Sequence, residues 1–278
     1  MNELHRDLKI KLDLLENWFE KNIGSIVAFS GGIDSTFVLF LARKFQGKEN
    51  AIGVISNSES LKKKDFEFAQ SFCTDFDIKL QIIKTNELSD LRYSKNPINR
   101  CFYCKDHLFN DLQELKKDYP GFEVLSGTNY DDLGDYRPGI DAAKKNLVLS
   151  PLVDCKITKS ELREMAKHFE LPNWDKPASP CLSSRIPYNQ DVTAQKLSQI
   201  EEAENILNNL GFDDVRVRHY GTYGKIEVKK EDIKKLQALN EQIIEKIKEV
   251  GFEKVEIDTE GLVSGKLNRV LSSKEREI

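Results

Sequence analysis

The sequence predicts an α/β fold: a parallel sheet with helices on both faces, followed by a smaller α+β domain. Three observations carry this. Short apolar runs at 26–29, 51–56, 80–84 and 123–126 alternate with longer stretches of helical periodicity. The runs at 26–29 and 51–56 are apolar throughout, as strands buried on both faces are. After residue 190 the order changes to helix, hairpin, helix and strand, which is the pattern of a separate α+β unit.

Each element has a local reason. Residues 4–21 place Leu8, Leu12, Leu15, Trp18 and Phe19 at helical spacing. The first strand, 26–29, runs into Ser30-Gly31-Gly32, and a helix over 35–45 follows. A strand at 51–56, a striped helix at 61–76 and a strand at 80–84 come next. Residues 86–99 read as a loop with a short helix, 107–119 as a helix, and 123–126 as a fourth strand ending in Gly127-Thr128-Asn129. Leu-Val-Leu-Ser-Pro-Leu suggests a fifth strand at 148–151. Thr158 is placed to cap a helix over 159–169. Pro172, Pro177, Pro180 and Pro187 mark an ordered linker. Then follow a helix at 192–210, a hairpin of 215–219 with 225–228 around a turn at 220–224, a long helix at 231–250 and a strand at 254–257. The expected division is 1–170, a linker at 171–190 carrying Cys181, and 191–278. The charged tail from Leu271 is expected to fray.

With 42 Lys and Arg against 46 Asp and Glu, the net charge is −4, which argues against general nucleic-acid binding. No apolar run reaches the ~18 residues of a membrane span, and the amphipathic N-terminus does not read as a signal peptide. These features predict a cytoplasmic protein. Five cysteines, an odd number in a reducing compartment, point to metal or reactive thiols rather than a disulfide framework.

In parallel sheets ligands bind at the carboxyl ends of the strands. Ser30–Ser35, 56–58 and 127–132 fall at such ends and are expected to converge. A strand, two glycines and a helix start make an anion site from free backbone N–H groups, with Asp34 and Ser35 expected as capping residues. The spacing is not that of a Walker A loop. Ser30-Gly31-Gly32-Ile33-Asp34-Ser35 instead resembles the pyrophosphate (PP) loop of the N-type ATP pyrophosphatases, which adenylate a substrate oxygen. Asp34 and Ser35 are expected on phosphate or on a bridging Mg²⁺, which takes carboxylate and phosphate oxygens. Gly127, Thr128, Asn129, Asp131 and Asp132 are candidates for contact with ATP or metal. For the two aspartates a self-capping Asx turn is the alternative.

Cys101 and Cys104 form a C-x-x-C, and Cys181 lies 77 positions further on, in Ala-Ser-Pro-Cys-Leu-Ser-Ser-Arg. From spacing alone a C-x-x-C is a structural zinc site or a dithiol pair, and His107 is near enough to be a further zinc ligand. Cys73 and Cys155 read as structural thiols.

Taken together, Ser30–Ser35, Asn-Arg-Cys-Phe-Tyr-Cys-Lys at 99–105, Gly-Thr-Asn-Tyr-Asp-Asp at 127–132, the segment 179–185 and Val-Arg-Val-Arg-His at 215–219 resemble the ATP-dependent LarE-type sulfurtransferases over nearly the whole chain. That family helps to build the nickel-pincer nucleotide cofactor of lactate racemase. The resemblance implies adenylation of a carboxylate of pyridinium-3,5-biscarboxylic acid mononucleotide, replacement of the activated oxygen by sulfur, and release of AMP. In one branch the cysteine matching Cys181 gives up its own sulfur. In the other, three cysteines hold a [4Fe–4S] cluster whose fourth iron carries an extra sulfide. Cys101, Cys104 and Cys181 together resemble the cluster branch, which implies a separate sulfide donor. The family also tends to homo-oligomerise, and the apolar face of residues 4–19 is available for that or for packing on its own domain.

Further polar residues are candidates to complete the site, the face of Arg216 and Arg218 on the strength of the resemblance and the others from their position. Arg185 is a candidate for a substrate or AMP phosphate, and Arg216 and Arg218, on one face of a strand, for the phosphate of a nucleotide. Glu227 on the paired strand is a candidate salt-bridge partner or Mg²⁺ ligand. Arg100 and Lys105 flank the C-x-x-C and offset cluster or phosphate charge, or are simply solvated. The alternatives are a tRNA-thiolating PP-loop enzyme, a synthetase of the same ATP class using an amide nitrogen donor, and a nucleotide-binding zinc module without catalysis.

Overall fold

The structure is a computed structural model that describes residues 4–134, 136–263 and 265–270. The expected frayed tail from residue 271 lies outside the described residues. The chain divides into two compact units, Met1–Glu87 with Cys101–Ser179, and Leu88–Arg100 with Pro180–Ile278.

In chain order the elements are α1 (Arg6–Glu20), β1 (Gly24–Ala28), α2 (Ile33–Gln46), β2 (Ala51–Ser56), α3 (Lys63–Asp75), β3 (Lys79–Ile83), α4 (Leu91–Ser94), α5 (Arg100–Lys116), β4 (Phe122–Leu125), α6 (Pro138–Lys145), α7 (Pro151–Asp154), α8 (Lys159–His168), α9 (Ala194–Asn209), β5 (Val215–Tyr220), β6 (Tyr223–Val228), α10 (Ile233–Ala238), α11 (Asn240–Glu249) and β7 (Lys254–Ile257).

The first unit holds a parallel sheet in the order β3-β2-β1-β4. Successive strand side chains point to opposite faces, and the core separates accordingly. Val27 and Ile55 pack with Leu15, Phe37, Phe72 and Leu162 on one side. Ile26, Ala28, Ile52 and Val54 pack with Phe109, Leu112 and Ala142 on the other. The parallel α/β fold and the smaller α+β region expected from the sequence are both present. The apolar face of α1 (Leu8, Leu15, Phe19) is buried, with Leu15 and Phe19 packed in the unit's own core.

Four expectations on elements are corrected. The fifth strand is only a single bridge, Leu125 to Leu149, because Pro151 opens α7 directly afterwards. The helix expected at 107–119 begins at Arg100, so the C-x-x-C lies in its first turns and His107 well inside it. Helix α6 was not expected, although Pro138 at its first position is a start signal. The helix expected at 231–250 is broken into α10 and α11 at Leu239, whose φ of −102° and ψ of 11° leave the helical region. The Thr158 cap is present as a full capping box with Glu161.

In the second unit β5 and β6 form an antiparallel hairpin, and β7 adds parallel to β6. Its core is Leu207, Phe212, Val217, Ile226, Leu236, Ile247 and Phe252. Segment 88–100 belongs here because Asn96 and Arg100 tie it to the loop after Cys181. Asn96 Nδ2 donates to the carbonyls of Ile186 (3.2 Å) and Pro187 (2.7 Å), and Arg100 Nη1 donates to the Ser183 carbonyl at 2.8 Å. Arg100 is therefore a buried staple, not a solvated charge.

His219, on β5, is buried against Phe252 with Nε2 3.1 Å from Gln199 Oε1. Burial, with the charge of Lys196 adding to it, holds its pKa down to about 4. An unfolded histidine titrates near ~6.5, so as pH falls the unfolded chain takes the proton first. The stability this group confers is whole above pH ~6.5 and is lost as pH drops toward about 4, a loss of about 3 kcal/mol at most. Urea unfolding of the full chain between pH 7 and 4 should show this slope, and His219→Phe should flatten it.

Candidate active site

The order β3-β2-β1-β4 reverses direction in sequence between β1 and β4, and such a switch point opens a crevice at the carboxyl ends of the strands. A pocket of about 240 Å³ lies there in the first unit, lined among others by Ser30, Gly32, Asp34, Ser35, Gly127 and Thr128. The loops after β1 and β4 meet backbone to backbone. A Cβ on Gly127 would stand 2.6 Å from the Ser35 nitrogen and 2.9 Å from the Asp34 carbonyl carbon.

Asp34 and Ser35 are not the caps that the sequence suggested. The N-cap of α2 is Gly32, and no side chain accepts there. The reason is that the helix starts at Ile33, which puts both residues inside its first turn. Ser35 Oγ donates back to the Gly32 carbonyl (3.0 Å) and lies 3.1 Å from Ser30 Oγ. The first-turn N–H groups of α2 are thereby left to an external acceptor, with the positive end of the helix dipole behind them.

Asp34 lies between Lys159 Nζ at 2.5 Å and Asn129 Nδ2 at 3.1 Å. Lys159, at the start of α8, was not singled out from the sequence. Its signal was its place directly after the Thr158 cap. Asn129 Oδ1 accepts from the Asp131 N–H and Asp132 Oδ2 from the Asn129 N–H, so the Asx turn is formed. Asp131 also accepts from the Lys159 N–H at 2.8 Å. Asp132 is paired with Arg137 at 2.8 Å. Burial raises its carboxyl pKa, with the nearby Asp34 charge adding to the rise against the Asn129 bond and Arg137.

Lys105 and Arg137 line the pocket too. Lys105 is one turn beyond Cys101 on α5, and Gly139 of α6 packs over that turn: a Cβ there would lie 3.1 Å from Lys105 Cγ and 3.9 Å from the Cys101 carbonyl. The C-x-x-C helix thus runs alongside the pocket of its own unit. Cys101 is exposed and Cys104 half-buried. Spaced by three on a helix, they share a face. Burial pushes the Cys73 thiol up to about 12 and, with Asp154 nearby, the Cys155 thiol to about 11.

Cys181 lies in the second unit, half-buried, and precedes a 3-10 turn, Leu182–Arg185. Arg185 is 1% exposed. It donates to Glu204 through Nε (2.7 Å) and Nη2 (3.1 Å), and through Nη1 to the carbonyls of Pro180 (2.9 Å) and Cys181 (3.3 Å). Arg218 donates to Glu227 Oε2 through Nε (3.0 Å) and Nη2 (2.8 Å), and to the Ser184 carbonyl. Glu227 is also 3.5 Å from Lys266, so it stands as a salt-bridge partner. Arg216 differs. It is 7% exposed and has no carboxylate within salt-bridge distance among the described residues. Burial and the charges of Arg185 and Arg218 lower its pKa. Among the described residues no three His, Cys, Asp or Glu side chains stand together as a metal site.

The contact between the two loops is directly testable. Gly127→Ala forces a methyl against the Ser35 backbone, and overpacking of this kind costs about 1–3 kcal/mol. The variant should melt several degrees lower and bind ATP more weakly, measured by thermal unfolding and calorimetry.

Residues 9–98 match the family described as NAD synthase. The chain is 33% identical over 246 residues to the pyridinium-3,5-bisthiocarboxylic acid mononucleotide synthase of Lactiplantibacillus plantarum, covering 88% of this chain and 89% of that one. It is 40% identical over 268 residues to an uncharacterized protein of Synechocystis sp., covering 95% and 99%. It is also 32% identical over 259 residues to an uncharacterized protein of Methanocaldococcus jannaschii, covering 92% and 97%. With the loop geometry above, these likenesses show that the chain belongs to the LarE-type sulfurtransferases, a family of the PP-loop class.

Proposed function

We propose that the protein is an ATP-dependent sulfurtransferase acting on pyridinium-3,5-biscarboxylic acid mononucleotide in the cytoplasm. The observation that carries this is the uncapped start of α2 beside Gly127, at the switch point of the sheet, in a chain similar along 88% of its length to a synthase of the bisthiocarboxylic acid. Ser30, Gly31, Gly32 and Ser35 bind the β- and γ-phosphates of ATP, and Thr128 and Asn129 line the same cradle. Asp34 exchanges its Lys159 contact for Mg²⁺, which takes a carboxylate and phosphate oxygens. Lys105 and Arg137 offset the phosphate charge.

In the first step a carboxylate oxygen of the substrate attacks the α-phosphorus of ATP. The bond from that phosphorus to the bridging oxygen breaks, and pyrophosphate leaves with its electron pair. In the second step a sulfide attacks the carbonyl carbon of the acyl-adenylate, and AMP leaves as the thiocarboxylate forms. Uncapped amides and cations near the pyrophosphate stabilise the charge that develops on the leaving group.

Cys101, Cys104 and Cys181 are the residues that would hold a [4Fe–4S] cluster. The donor chemistry suits it: three thiols, two of them exposed or half-exposed on one helix face and the third on a turn shaped by Arg185. When bound, such a cluster supplies the sulfur, which a separate sulfide donor replenishes, so the chain need not break a cysteine C–S bond. Arg216 and Arg218 are the residues we assign to the substrate phosphate. Arg216 is the better placed of the two, because Arg218 is held by Glu227 and Arg185 by Glu204. A homo-oligomer is part of the same reading, with the half-exposed Ile10 and Leu14 of α1 as available apolar surface.

Anaerobically purified protein should carry about four iron atoms per chain, release pyrophosphate with the mononucleotide substrate and ATP, and keep its intact mass after turnover. Cys101→Ala, Cys104→Ala and Cys181→Ala should each lose iron and sulfur transfer. A colourless chain with one zinc, or full turnover by Cys101→Ala, overturns the cluster reading. A mass loss of one sulfur at Cys181 would assign the sulfur to that cysteine instead.

A further inference from the structure

The PP loop is held from behind by residues that phosphate binding does not use. The Gly31 carbonyl accepts from Lys176 Nζ at 3.0 Å and from Asn173 Nδ2 at 3.4 Å. Asn173 also donates to Thr36 Oγ1 at 3.0 Å. Lys176 Nζ is in turn 2.8 Å from Asp65 Oδ1 and 4.9 Å from the centre of the Phe68 ring. The other Asp65 oxygen accepts from Ser179 Oγ at 2.8 Å. Asp65 is 4% exposed, and its own carbonyl lies where a Gly31 Cβ would be, at 2.7 Å. Gly31 has φ of +69°, which other residues seldom adopt. All of these residues belong to the first unit.

The peptide group is planar and trans, so a carbonyl and the N–H that follows it point in opposite directions. Drawing the Gly31 carbonyl toward Lys176 turns the Gly32 N–H the other way, toward Ser30 Oγ. That contact is 3.4 Å, long for an N–H···O bond, and is easily given up to a stronger acceptor. Ser30 and Gly32 both line the pocket, whereas Lys176 does not. A cation on the carbonyl also polarises the peptide and strengthens its N–H as a donor.

We infer that Lys176, with Asp65 as its buried counter-ion, is a positioning residue that fixes the Gly31–Gly32 peptide so that the Gly32 N–H faces an incoming phosphate. The inference rests on reading Ser30–Gly32 as a pyrophosphate loop. Lys176 acts through the peptide, and Asp65 acts by keeping the ammonium on the carbonyl. The same carboxylate ties down Ser179, two residues before Cys181 in the chain.

The test is calorimetric binding of inorganic pyrophosphate with Mg²⁺ to the full chain, alongside thermal unfolding of each variant. Lys176→Met should weaken binding about tenfold, the size of one lost charge-assisted hydrogen bond, and Lys176→Arg should restore it to within about threefold. In ATP–pyrophosphate exchange Lys176→Met should raise the KM for pyrophosphate and leave kcat within about threefold, a split that general unfolding does not produce. Asp65→Asn keeps the shape of the buried side chain and serves if Lys176→Met does not fold. It should weaken binding as well, because the ammonium is no longer held on the carbonyl. Tighter or unchanged binding by Asp65→Asn, or wild-type binding by a folded Lys176→Met, overturns the inference alone. No pyrophosphate binding by the wild-type chain removes the loop reading and the inference with it.

Discussion

The parallel pairing of β1 with β4 is the constraint on which the candidate site depends. Strands that adjoin in space but not in sequence send their following loops apart, and the gap between those loops cannot be filled by either helix. Here the two sides meet where Gly127 lies against the backbone of Asp34 and Ser35 and where Asn129 bonds Asp34. Glycine is required because two backbones approach there with no room for a side chain. Above that contact α2 starts without a side-chain cap, beside the pocket.

Charge is distributed in the same economical way. Asp34, Asp65 and Asp132 each face a cation of the chain itself, Lys159, Lys176 and Arg137 respectively. Breaking one such contact to admit Mg²⁺ or phosphate exchanges partners rather than stranding a charge, which is the expensive alternative in a buried setting. In the second unit Arg185 and Arg218 are paired with Glu204 and Glu227, and for Arg216 burial and the charges of Arg185 and Arg218 outweigh the pull of Glu227 and Asp214.

Much of the fold is legible in the sequence. The strands at 26–29, 51–56, 80–84 and 123–126 and the cap at Thr158 fall within a few residues of their expected places, because continuous apolar runs and an S/T-x-x-E box are local signals. The elements missed were those whose local signals compete. The run at 148–151 is as apolar as a strand, but Pro151 starts a helix there and only one bridge forms. The long helix at 231–250 has a sustained apolar stripe, and nothing in that stripe announces the break at Leu239. Arg100 looked like one more charge beside the C-x-x-C, and its burial depends on Asn96 and on Ser183, which is 83 residues away.

Short windows of periodicity and motif were enough for the fold class and the family resemblance, and they singled out Ser30–Ser35, the cysteines 101, 104 and 181, and Arg216 with Arg218 as candidates. Tertiary structure alone decided which polar groups are already committed. That Asp34 is held by Lys159 and Asn129, that Arg185 shapes the Cys181 turn, and that Lys176 grips the Gly31 carbonyl all follow from side chains brought together across the fold. A side chain's chemistry is local, but its hydrogen-bond partner is chosen by packing.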